Sequence, residues 1–217
     1  MHKALLLLLL VAPALAQERP MPLEIVRPVK NFRMSDKILF VVDSSGSMAM
    51  HLKLAMQSVL LITRTPMDGF QVGLINFAGG PVRWKGKPKC MHKKRLKHSA
   101  KCVLPGWAEM PTEHKAFEKY LQGSIISGMT RADLAVRLAM KERVQDVTIV
   151  LVTDGEFDHG HLIKEIEKGR AYRKKHKLGT VYIMIWGVGS QAKDLKDVAK
   201  VGGGGLWIHG KKRSGPW

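Results

Sequence analysis

The chain has 217 residues, 45% of them hydrophobic, which is enough for one ordinary core and too little for two comfortable domains. Its 36 Lys and Arg outnumber 18 Asp and Glu, so the formal charge is +18 and the pI is near 10.1, a balance that favours anionic partners without naming one. The longest apolar run, Leu5 to Val11 with Pro13 just beyond, falls short of the roughly 20 residues a membrane span needs.

In chain order, that first run reads as a signal peptide. Lys3 gives a positive start, the leucines an apolar centre, and Ala14-Leu15-Ala16 a small-residue cleavage site. The expectation is an exported protein, periplasmic or secreted, cut after Ala16, with no cysteine next to the cut to carry a lipid. Residues 17–36 contain Pro20, Pro22 and Pro28 and read as an extended lead-in. A strand follows at 38–43, then a helix at 51–66 with Pro66 as its stop, and a strand at 70–78. Helices are expected at 113–123 and 131–142, and a strand covered on both faces in the apolar run "VTIVLVTDG" at 147–155. A helix at 161–177, despite Gly169, a strand at 181–189, a helix at 192–203 and a short strand at 206–210 complete the pattern. Strands separated by helices predict an α/β fold with a doubly wound, mainly parallel sheet, one domain over 37–210, and a short basic tail at 211–217.

One segment breaks the alternation. From about 80 to 111 the chain has too many Pro, Gly and Lys residues for a core element, and it reads as a long basic loop or hairpin. Lys85, Lys87, Lys89, Lys93, Lys94, Arg95, Lys97 and Lys101 crowd it without an acid among them, and they are candidate anion-binding residues. Cys90 and Cys102, the two cysteines, lie within it, and in an exported protein they are expected to form a disulfide that closes a short loop. A rival zinc site using His92 and His98 has loose spacing and would be repelled by the lysines. A second basic cluster, Arg170, Arg173, Lys174, Lys175 and Lys177, closes a helix, where cations also suit the dipole.

The chemistry concentrates where strands end. Asp43, Ser45 and Ser47 follow the first strand, Asp154 follows the strand at 147, and Thr130 begins a helix. In an open parallel sheet ligands bind beyond the carboxyl ends of the strands, and strand polarity alone brings Asp43 and Asp154 to one edge. Two carboxylates and several hydroxyls suit a hard divalent cation such as Mg2+, with Mn2+ and Ca2+ as alternatives. Each residue also has a local reading: Ser47 as a helix cap, Thr130 with Asp133 as a capping box, and Asp154-Gly155 as a turn.

Asp43-x-Ser45-x-Ser47, Thr130 and the Thr153-Asp154-Gly155 turn, in that order, resemble the metal-ion-dependent adhesion site (MIDAS) of von Willebrand factor type A domains, here of a bacterial exported type. The resemblance covers about residues 37–210. It implies that Ser45, Ser47 and either Thr130 or Asp154 bind the ion directly, while Asp43 and the remaining residue act mainly through water. One coordination position stays open for a Glu or Asp of a protein partner. The basic segment is longer than the family's usual connection, and the family's usual closing helix is not expected after the last strand.

Other chemistries fit less well. A phosphoryl-aspartate hydrolase wants a second Asp where Ser45 stands, Ser47 lacks the glycines of a nucleophile elbow, and the glycines from Gly202 to Gly205 precede an expected strand, not the helix that a phosphate-cradling loop opens. His159 and His161, close after Asp154, are candidate bases or extra ligands, or ordinary first-turn residues. The sequence therefore reads as a binding protein and not an enzyme. The alternative function is a basic module for polyanions (anionic glycan, membrane surface or nucleic acid) with a structural or vestigial metal site. A third reading is an accessory subunit that docks onto a catalytic partner.

Overall fold

The computed structural model describes residues 23–64, 69–78, 81–83, 106–110, 112–122, 130–189 and 191–209. The expected signal segment 1–16, Cys90 and Cys102, the lysines of the basic segment from Lys85 to Lys101, and the tail 211–217 lie outside them. Among the described residues, no helix is long and apolar enough to cross a membrane.

Strands are β1 (Leu23–Val26), β2 (Lys37–Asp43), β3 (Gln71–Phe77), β4 (Pro81–Arg83), β5 (Trp107–Glu109), β6 (Val147–Thr153), β7 (Val181–Gly187) and β8 (Gly203–Ile208). Helices are α1 (Leu52–Arg64), α2 (His114–Gln122), α3 (Ala132–Met140), α4 (His159–Lys175) and α5 (Lys196–Gly202), with single 3-10 turns at Gly46–Met50 and Gln191–Leu195. The strands form one sheet in the order β1-β8-β7-β6-β2-β3-β4, with β5 also paired to β3. The five central strands are parallel, and β1, β4 and β5 join antiparallel at the margins. The fold is thus α/β, a mainly parallel sheet flanked by helices.

Apolar runs build the centre because both sheet faces are covered. In β2, Leu39 and Val41 face one layer while Ile38, Phe40 and Val42 face the other. The first layer is α3, α4 and α5, which bring Ala135, Val136, Leu162, Ile166 and Val198 onto the sheet. The second is α1 and α2, with Leu52, Ala55, Val59, Phe117 and Leu121. Each such side chain, fully buried, contributes about 1.5–3 kcal/mol relative to exposure. Gly169 is where α4 crosses α3: a Cβ there would come within 2.6 Å of Met140 Cβ and Cγ, so the glycine sets the closeness of the two helices.

Three short strands depart from the expected pattern. The lead-in is not only a connection, because Leu23–Val26 pairs antiparallel with β8. From there Phe32 and Met34 pack on the second face, and the Phe32 ring meets Tyr182 edge-on at 5.2 Å. At the other margin β4 and β5 both pair with β3, Arg83 opposite Ile75 and Trp107 opposite Gly73, so the basic segment leaves and rejoins the sheet at neighbouring positions. β8 starts at Gly203 and not at 206, because the glycine run itself joins the sheet.

Candidate metal centre

β2 continues to β3 on one side, whereas β6, β7 and β8 follow on the other, so the strand order reverses between β2 and β6. This is the switch point where open α/β sheets form their ligand crevice. Asp43 ends β2 on one flank of it, and Asp154 follows the last residue of β6 on the other.

Asp43 is fully buried. Its Oδ1 accepts from Ser45 N at 2.9 Å, and its Oδ2 accepts from Thr153 Oγ1 at 2.7 Å. Burial pushes its carboxyl up from the usual aspartate value; the bonds from Ser45 and Thr153 pull the other way, and the neighbouring charge of Asp154 adds to the rise. A carboxylate so dry, with a second acid beside it, is an electrostatic arrangement that a cation relieves.

After Asp43 the chain enters the 3-10 turn Gly46–Met50. Ser45 precedes that turn, yet its side chain makes no capping bond. Instead Ser45 Oγ and Ser47 Oγ face each other at 3.0 Å. The two hydroxyls, both expected as cation ligands and that of Ser47 alternatively as a cap, are turned together beside the Asp43 strand end. Ser44 serves the frame: its N and Oγ both donate to Phe77 O, at 2.8 and 3.1 Å, locking the turn to β3.

Thr130 is half-buried and precedes Arg131, whose N donates to Ala78 O at 3.1 Å just beyond the end of β3. That bond brings Thr130 to the same sheet edge. The capping-box reading does not describe this helix start: Asp133 takes two bonds from Arg131, Nε to Oδ1 and Nη2 to Oδ2, each 3.0 Å. Asp154 is nearly buried, and its Oδ1 accepts from Glu156 N at 3.1 Å in a turn completed by Gly155 at φ 92°, a left-handed conformation suited to glycine. Asp43, Ser45, Ser47, Thr130 and Asp154 thus gather at one edge.

Two histidines do not join them. His159 Nε2 pairs with Gly155 O at 3.0 Å and its ring packs on Phe157, while His161 is exposed beside Asp158, whose carboxylate caps α4 through His161 N. Thr153 was noted only as part of the Thr153-Asp154-Gly155 turn and was not among the expected ligands. Its signal is in the strand alternation, since Ile149, Leu151 and Thr153 share the face to which Asp43 turns.

The donor set is all oxygen: two carboxylates and three hydroxyls, which fits a small hard divalent ion better than a thiol- or imidazole-seeking one. Among the described residues there is no cluster of three or more His, Cys, Asp or Glu side chains able to hold a metal, so the hydroxyls are essential to any ion site here.

No family model matches the chain, and no curated protein matches its sequence. Solved structures do resemble it. Proximal thread matrix protein 1 from the mussel byssus, crystal form 2, is 20% identical over 71% of this chain and 35% of that one, with a TM-score of 0.45. The same protein with a zinc-occupied MIDAS motif is 18% identical over 71% of this chain and 36% of that one, at 0.39. The PilB minor pilin from Streptococcus sanguinis is 13% identical over 82% of this chain and 57% of that one, at 0.48. The chain therefore spans about a third of the mussel protein and just over half of the pilin.

Proposed function

We propose that this chain is an exported von Willebrand factor type A module that binds a protein partner through a divalent cation and a carboxylate of that partner. The observation that carries the reading is the pair of hydroxyls, Ser45 and Ser47, turned toward each other beside the buried Asp43, with Ser45 making no capping bond to the turn it precedes. Ser45, Ser47, Thr130, Asp43 and Asp154 would hold the ion, with Mg2+ the best match to the ligand chemistry. The bound ion would supply a Lewis-acid seat for an incoming carboxylate. The chain's own residues do the rest. Thr153 and Ser45 N hold the Asp43 carboxylate in one orientation, Ser44 fixes the turn to β3, and the Gly155 turn presents Asp154.

Binding without catalysis is the corresponding expectation: His159, a candidate base in the sequence, pairs with the Gly155 carbonyl. The test is a display of Glu- and Asp-containing peptides against the full chain, in Mg2+ and in EDTA. Binding that needs Mg2+ and is lost in Ser45→Ala/Ser47→Ala supports the reading. Binding that is equal in EDTA and collapses with salt would instead favour the basic segment as a polyanion site.

A further inference from the structure

At the opposite end of the sheet, where the parallel strands begin, the described surface is strongly positive. α4 closes with Arg170, Arg173, Lys174 and Lys175, and the chain then reverses through Lys177, in a left-handed conformation with φ 53°, before entering β7. Gly179 N donates to Gln145 Oε1 at 2.8 Å and Thr180 N donates to Asp146 Oδ1, which ties this reversal to the loop ahead of β6. Between them lies an open groove of about 680 Å³ whose lining includes Arg170, Arg173, Lys174, Lys177, Leu178 and Tyr182.

Arg173 is the unusual member. It is 1% exposed, yet among the described residues it has no ion-pair partner. Its Nη1 donates to Glu142 O at 3.0 Å and its Nη2 to Val144 O at 2.9 Å, both carbonyls just beyond α3, while its Nε has no hydrogen-bond partner. Neutral carbonyls satisfy donors but leave the charge standing, and burying an uncompensated charge is costly. Burial accordingly pulls its guanidinium below the usual arginine value, with the exposed Asp146 acting in the opposite sense. Arg170 is held in place by Nη2 donating to Gly202 O at 3.1 Å. Lys174 and Lys177 are exposed at the rim. Asp146 is an acid whose charge acts on Arg173, and one of its oxygens is already engaged by Thr180 N. Among the described residues that line the groove, Arg170, Arg173, Lys174 and Lys177 are cations and none is an acid, which leaves it positive.

We infer that this groove binds a phosphate or sulfate monoester of small-molecule size. The oxyanion takes charge-assisted hydrogen bonds from the arginines and lysines, which are stronger than bonds between neutral groups. The volume lies in the range of small-molecule sites and far exceeds a bare phosphate, so the organic part has room against Leu178 and the Tyr182 ring. That ring is fixed from behind: its hydroxyl donates to Asn31 O at 3.2 Å and its edge meets Phe32. The groove is separated from the Asp43 edge by the length of the seven-residue strands β6 and β7, roughly 20 Å, so it works without the cation.

The test titrates phenyl phosphate into the full chain by calorimetry, in EDTA and at constant ionic strength, with inorganic phosphate and sulfate as companion probes. Saturable binding is expected, tighter for phenyl phosphate than for either inorganic ion. Lys174→Gln with Lys177→Gln should weaken it about tenfold, as loss of charge-assisted bonds implies. These exposed lysines are exchanged instead of Arg173, whose loss would strip the Glu142 and Val144 carbonyls of their donors. Lys115→Gln with Lys119→Gln, which removes the same charge from exposed positions on α2, should leave affinity unchanged. No saturable binding, or equal weakening by both pairs, overturns the site. Equal affinity for phenyl phosphate and inorganic phosphate overturns the assignment to a monoester.

Discussion

Replacing Thr153 by Val keeps the shape of a buried side chain and removes one hydroxyl, which donates to Asp43 Oδ2 at 2.7 Å and accepts from Gly155 N at 3.1 Å. Thr153 and Asp43 are both fully buried, so water cannot replace either bond. A hydrogen bond to a charged group contributes about 1.5–3 kcal/mol, and a buried N–H left without a partner costs about 1–3 kcal/mol. Allowing the Gly155 turn to relax, the expected loss is about 3 kcal/mol, or roughly 6–12 °C in Tm for a domain of this size. Urea unfolding followed by tryptophan fluorescence, in EDTA at neutral pH, measures it. The same exchange in an Asp43→Asn background should cost less, with a coupling of about 1–2 kcal/mol between the two positions. A loss below about 0.5 kcal/mol, the ordinary scatter of harmless substitutions, would refute the claim that this hydroxyl holds the carboxylate. So would equal losses in both backgrounds.

Asp43→Asn should raise the metal-free Tm at neutral pH. Burial lifts the native carboxyl above its ordinary value of 3.8, so the stability linked to this group is full below that value and lost as pH rises through the native one; a lower Tm at neutral pH would contradict this. Arg137→Met tests the opposite sign. Arg137 Nε donates to the nearly buried Glu165 at 2.7 Å and, with Lys168, holds its carboxyl below the ordinary 4.5. That stability is present above pH 4.5 and lost as pH falls through the lowered native value, so the variant should be less stable than wild type at neutral pH, by a margin that solvent screening of the exposed Arg137 keeps small, and converge with wild type in acid. A gap that persists in acid would contradict the pair. Gly169→Ala should lower the urea midpoint although alanine favours helix by about 1 kcal/mol, because overpacking against Met140 costs about 1–3 kcal/mol. A higher midpoint would show that the α3–α4 crossing yields.

The sheet and its edge were legible for a geometric reason. An apolar run such as Ile38 to Val42, ending in Asp43, fixes where the strand stops, and parallel polarity then brings Asp43 and Asp154 to one end. Helix limits were legible to within a few residues because buried positions such as Leu52, Ala55 and Val59 recur at helical spacing. The strands Leu23–Val26, Pro81–Arg83 and Trp107–Glu109 were not. Segments of three or four residues carry no periodicity, and each is a strand only because a neighbouring edge offers it hydrogen bonds. Thr153 was hidden for a related reason: a threonine ending an apolar strand is unremarkable until β6 lies beside β2 and its hydroxyl meets Asp43. Arg173 read as one of several basic residues at a helix end, and only the return of Glu142 and Val144 past α4 buries it.

On the proposed reading, the oxygens gathered at the Asp43 edge hold a divalent cation. Calorimetric titration of Mg2+ into the full chain, beside Ser45→Ala/Ser47→Ala matched for folding by its circular dichroism, tests it most directly. Saturable one-to-one binding is expected in the wild type and none in the variant. A flat wild-type trace, or a variant that binds Mg2+ as the wild type does, would contradict it.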